Sequence, residues 1–240
     1  MALGIYFVHE GFTPEKYDEA IKRLTGREFA VWEGGNLNVA DNWTDAHMLR
    51  GQKLLQAKHG KEALAEFQMA LEIPTNLPSE GIDVSGREPE ADYWIGSAYS
   101  ALGDAAQAKK YWQKSADVKS APPQRQRRRR RGGVSPRDLQ AYYQALSLRK
   151  LGQADKATAL LQQLVETSKQ ALQGEPAKPD LSAPLDTLKA QRAALGTAHY
   201  GAGLGYLGLN EQPQAREEFT KALEASPDHA GAKAALAELR

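Results

Sequence analysis

One recurring spacing governs what this chain can fold into. In residues 198–228, AHYGAGLGYLGLNEQPQAREEFTKALEASPD, an anchor at Gly203 places Tyr206, Ala215, Phe219, Ala222 and Pro227 at offsets of 3, 12, 16, 19 and 24. The same offsets lead from Gly51 to Leu54, Ala63, Phe67 and Ala70, and from Gly96 to Tyr99, Ala108, Trp112 and Ser115. A degenerate copy leads from Ala145 to Leu148, Ala157, Leu161 and Leu164. Small residues stand where two helices must meet backbone to backbone, and large ones fill the gap beside them. The proline closes a unit because it cannot continue the second helix. Four matches to one template predict an all-α array of helical hairpins over 44–240. The amphipathic segment HAGAKAALAEL that follows is suited to sealing its open end.

The pattern resembles a tetratricopeptide repeat, a helix–turn–helix unit of about 34 residues that stacks into a solenoid. Successive anchors here lie 45, 49 and 58 residues apart, well above that period. The excess falls between hairpins, in 74–89, 117–137 and 167–190, and insertions at one kind of junction emerge on one side of a solenoid. Leu185 to Leu195 is suited to an added helix in the last of them.

Residues 1–43 stand apart as an N-terminal segment. Ile5 to Val8 has the composition of a short strand, and Thr13-Pro14 opens a helix with Tyr17, Ala20, Ile21 and Leu24 on one face. After that helix, Trp32 and Trp43 flank a Gly34-Gly35 turn, which predicts an irregular loop over 27–43 whose rings cover the apolar end of the first hairpin. The runs GREFAVWEGG, DAHMLRGQKLL, ALEIPTNLP, YWIGSAYSALGD and QAYYQALSLRKLG are, taken together, similar to the C-terminal helical region of large bacterial proteins. Those carry an N-terminal galactose-mutarotase-like β-sandwich of uncharacterised function. The resemblance covers about residues 26–240 and implies an accessory role in carbohydrate processing. No such sandwich is encoded in these residues, so no sugar activity carries over.

Composition narrows the function classes. The absence of cysteine removes disulfides, thiolate metal sites and a cysteine nucleophile. No apolar run approaches the ~20 residues of a membrane helix, and MALGIYFVHEGF is a poor signal peptide, so a cytoplasmic location is the default expectation. The net charge of +1 hides an asymmetry, because residues 120–137 hold seven arginines and no acid. A nucleic-acid reading attaches to Arg125, Arg127, Arg128, Arg129, Arg130 and Arg131, since clustered guanidiniums neutralise phosphates. No aromatic residue interleaves with them to stack bases, and flanking prolines and glycines favour a solvated loop instead.

The catalytic and metal motifs sought are missing. The five histidines show no HExxH spacing, and neither GxSxG nor GxxxxGK[ST] occurs, so no enzyme, metal or cofactor is expected. His47 and His199 fall in the slot of the repeat's consensus tryptophan, where packing accounts for them. The remaining signal is a groove. In tetratricopeptide hairpins the first helix lines the concave side, and the residue three before the anchor faces inward. That slot holds Met48, Tyr93, Tyr142 and Tyr200, and nearby inward slots hold Gln52, Ser97 and Arg149. Three tyrosines in register would either grip an extended peptide or pack on neighbouring hairpins. The inward set lacks the Lys, Asn and Arg of a carboxylate clamp. The expected function is a non-catalytic scaffold binding a protein or peptide in this groove.

Overall fold

The computed structural model describes residues 36–72, 86–117, 133–174 and 185–239. They form an all-α tetratricopeptide-type solenoid of four hairpins and a terminal helix: α1 (Asn36–Gln56) with α2 (Gly60–Met69), α3 (Glu88–Ala101) with α4 (Ala105–Asp117), α5 (Pro136–Lys150) with α6 (Ala154–Gly174), α7 (Leu185–Gly208) with α8 (Gln212–Ala225), then α9 (Ala230–Glu238). No described helix is long and apolar enough to cross a membrane.

Each hairpin turns in the same way. The residue seven after each anchor, Lys58, Gly103, Gly152 or Asn210, has a positive φ of 65°, 83°, 77° or 64°. The next amide then donates back to a carbonyl at offset three, His59 to Leu54, Asp104 to Tyr99, Gln153 to Leu148 and Glu211 to Tyr206. This left-handed closure satisfies carbonyls that the helix end would otherwise orphan. Glycine adopts it without strain and asparagine nearly so, whereas lysine does so at a steric cost. Lys58 is the outlier of the set.

Between turns, the offset pattern is a pattern of contact. A Cβ added at Gly203 would lie 2.5 Å from the Phe219 ring, one at Gly51 2.4 Å from Phe67, and one at Gly96 2.7 Å from Trp112. In the third hairpin the anchor already carries a Cβ, and its partner is the smaller Leu161; Ala145 and Leu161 are both fully buried. Helix contact and ring size are therefore matched hairpin by hairpin.

The expected boundaries shift in three places. α1 begins at Asn36, inside the segment expected to be irregular, because 36–50 contains neither glycine nor proline to interrupt a helix. Trp43 nevertheless anchors that end, its indole N–H donating to the Met69 carbonyl at 3.1 Å. Residues 167–174 continue α6, and Leu185 to Leu195 is the first half of a 24-residue α7 rather than an added helix. Nothing between Leu185 and Leu195 breaks it. At the start of α5, Ser135 and Asp138 form a reciprocal capping box that ends the second inter-hairpin segment sharply. Residues 1–35, with the expected strand and Trp32, lie outside the described residues, as do the arginines of 125–131.

Candidate functional site

Successive first helices touch one another, α1 with α3, α3 with α5 and α5 with α7, while the second helices make no comparable contact. The array therefore curves with its first helices on the inside. That inner face is where a ligand groove would lie.

The seven residues expected there divide into two groups. Met48 is 1% exposed and belongs to the core of the first two hairpins with Phe67, Ala91 and Ile95, so it presents nothing to a partner. Gln52, Ser97 and Arg149 are half-buried, and the Ser97 hydroxyl turns back to donate to the Tyr93 carbonyl at 2.9 Å. The tyrosines are half-buried but form no ladder. Tyr93 lies 5.0 Å from Trp94 and 6.0 Å from Tyr143 between ring centroids, and Tyr143 lies 5.3 Å from Tyr142. Tyr200 packs instead on Phe219 at 5.8 Å and His229 at 4.6 Å. Tyr93 and Tyr200 thus lean onto rings of neighbouring helices, while Tyr142 meets the ring of its chain neighbour Tyr143.

A charged network unseen in the sequence sits beside them. Arg87 donates to Asp45 at 2.8 Å and to Glu90 at 2.8 Å, tying α1 to α3. The Glu90 side chain is only 7% exposed, and its amide donates to Gln140 Oε1 at 3.1 Å, tying α3 to α5. Burial disfavours the Arg87 charge, but the two carboxylates outweigh it and raise its pKa further. One signal was available, since Asp45 and Glu90 share an offset six before their anchors. Arg87 had none, because it closes an inter-hairpin segment.

The same surroundings keep the phenols neutral. Burial raises the Tyr93 pKa against a hydrogen bond from Ser97. It raises Tyr142, with Tyr93 and Glu238 adding to the effect. Tyr143 is pushed well up by burial and by Glu90, whose carboxylate accepts a hydrogen bond from its hydroxyl. Tyr200 is raised by burial and then by Glu90, Tyr142 and Asp45, with Arg87 opposing. Such hydroxyls can donate and accept hydrogen bonds but do not act as bases.

Between the helices of the outer hairpins, histidine does more than pack. His47 Nδ1 lies 2.7 Å from Glu66 Oε2, and His199 Nδ1 lies 2.7 Å from Glu218 Oε2, at equivalent positions of the first and last hairpins. Burial would raise the Glu218 pKa, but hydrogen bonds from His199 and Lys221 overcome it and hold the carboxyl below its usual range. In the second hairpin the slot holds Asp92, fully buried and bonded to Lys114 at 3.0 Å. In the third, Ala141 and Leu160 fill it, and a small cleft opens beside Gln163 and Thr167. No group of three or more His, Asp or Glu among the described residues could hold a metal ion.

A family model described as tetratricopeptide repeat matches residues 90–117 and 141–170, the second and third hairpins. Among solved structures, the chain is similar to MamA from residue 41 to its end, from Desulfovibrio magneticus RS-1, at 18% identity over 82% of each chain and a TM-score of 0.27. It is also similar to YrrB, described as a TPR protein with an unusual peptide-binding site, at 22% identity over 79% of this chain and 89% of that one, with a TM-score of 0.25. The second and third hairpins of this chain are tetratricopeptide repeats, set in an all-α solenoid of that kind.

Proposed function

We propose that the chain is a non-catalytic scaffold that binds a protein or peptide segment along its inner face. The observation that supports this reading is the continuous stacking of α1, α3, α5 and α7, first helices that carry the half-buried Gln52, Ser97 and Arg149. Neutral tyrosine rings beside them supply apolar area with hydroxyl ends, a combination suited to an extended or helical segment. The tyrosines themselves are poor mutational probes, because Tyr200 and Tyr143 also hold helices together.

Photo-crosslinking avoids that difficulty. A benzophenone amino acid at Gln52, Ser97 or Arg149 is expected to trap a partner from source-cell lysate. The same group at Lys110 or Glu217, exposed on second helices, is not. Adducts formed only from the outer positions would refute the assignment. The carbohydrate reading rests on resemblance alone, and the nucleic-acid reading on arginines outside the described residues. Neither gains a structural observation.

A further inference from the structure

The terminal helix is held in an unusual way. At nine residues, α9 is too short to be stable by itself in water, so its docking depends on a few contacts. Its buried residues are alanines, Ala232 and Ala235, set among Leu204, Phe219 and Ala222. Gly231 lies so close to the Tyr200 ring that an added Cβ would approach its Cζ to 2.7 Å. At the far end, Arg216 donates to the Leu239 carbonyl. At the near end the cap is a histidine: His229 Nδ1 accepts the Ala232 amide at 3.3 Å while the ring packs on Tyr200. Aspartate, asparagine or serine is the usual choice there, and each accepts across the neutral range. A histidine accepts on Nδ1 only while that nitrogen is unprotonated.

We infer that α9 is an acid-released latch: protonation of His229 removes the cap acceptor and loosens the helix, uncovering Tyr200 at the inner face and the Leu204–Phe219–Ala222 end of the stack. The groups facing the ring are few. Tyr200 from α7 is neutral, Ser226 and Asp228 precede it, and Lys233 lies one turn on. Asp45 of α1 acts on it from across the groove. Burial lowers the His229 pKa, and a hydrogen bond to its own backbone, together with Asp228 and Asp45, only partly offsets this. The sign follows. With a depressed folded value, the latch is fully closed above the ordinary histidine pKa of 6.5 and opens as pH falls through the lower, folded value. The inference deepens the inner-face reading by naming its regulation, but the release of α9 needs no partner to be observed.

Because the chain has no cysteine, one introduced at the exposed Ala237 gives a single labelling position on full-length protein. Dye anisotropy there, and hydrogen exchange of amides 232–239 corrected for intrinsic rates, report docking directly. Wild type is expected to keep the helix docked at pH 7.5 and to show exchange faster by about tenfold once His229 is protonated, the scale of losing one cap. His229→Asn keeps an acceptor at every pH and is expected to abolish the response. His229→Ala lacks one and should leave α9 loose at both pH values with far-UV helicity otherwise intact. An identical pH response in wild type and His229→Asn overturns the latch, as does a tightly docked α9 in His229→Ala. A failed crosslinking experiment would sink the scaffold reading while leaving these results in place.

Discussion

Replacing Gly203 by alanine tests the packing rule on which the array rests. The new Cβ would stand 2.5 Å from two Phe219 ring carbons, where carbon atoms pack at about 3.5–4.0 Å. Phe219 is fully buried, so the ring has no free side to move toward. Ring or helix must yield by roughly 1 Å, and overpacking of this kind costs about 1–3 kcal/mol. Alanine returns about 1 kcal/mol through helix propensity, which leaves a net loss on the order of 1 kcal/mol. That corresponds to a fall in Tm of about 2–4 °C for a chain this long. The partner substitution makes the test sharper. Phe219→Leu alone leaves a void, but combined with Gly203→Ala it recreates the Ala145–Leu161 pair found in the third hairpin. The double variant should therefore be more stable than the sum of the single changes predicts, by about 1–2 kcal/mol. Urea unfolding followed by far-UV circular dichroism measures all four corners of the cycle. All four tryptophans lie at or before residue 112, so their fluorescence reports separately on the other end of the array. Additivity within about 0.5 kcal/mol, or a Gly203→Ala protein more stable than wild type, would refute the size-matching argument.

Two further outcomes follow from the inner face. Arg87→Ala strands the nearly buried Glu90 carboxylate and should cost about 3 kcal/mol in thermal or urea unfolding, much of it recovered by adding Glu90→Gln; a loss below about 1 kcal/mol would show that the network is ornamental. Alkaline titration supplies the second. Raised folded pKa values at Tyr93, Tyr142, Tyr143 and Tyr200 give stability that is complete below the ordinary tyrosine value of 10 and lost as pH climbs through the folded ones. Absorbance at 295 nm should show a late group of phenols ionising together with loss of helix, and a single smooth step near pH 10 with helicity intact would contradict their burial.

How much of this was readable in advance depends on how local the cause is. The glycine and aromatic at offsets 0 and 16 were legible because both belong to one hairpin and must meet wherever it stands. The left-handed turn residues were half legible: Gly103 and Gly152 announce themselves, but Lys58 does the same task against its own preference. Sequence register assigns Tyr93, Tyr142 and Tyr200 to first helices but does not decide between gripping a peptide and packing on neighbours. Register along a helix follows from sequence period, whereas the lean of a ring follows from how closely neighbouring helices converge. Half of the Arg87 network was illegible for the same reason: Glu90 is a local partner three residues on, but Asp45 is brought to it by the stacking of the first two hairpins.

That curvature has a consequence for the size of the molecule. In an open array each unit meets only its neighbours, so stability grows by increments and units can be gained or lost at either end. Here Asp45 of the first hairpin and Arg87 and Glu90 at the second all act on Tyr200 of the fourth, and Asp45 acts on His229 beyond it. Carboxylates of the first two hairpins thus add to the burial that keeps Tyr200 neutral. A hairpin inserted between those two and the fourth would pull these groups apart, and one deleted would crowd them. Among the described residues, the spacing of the hairpins is therefore tied to the charges carried by the first two.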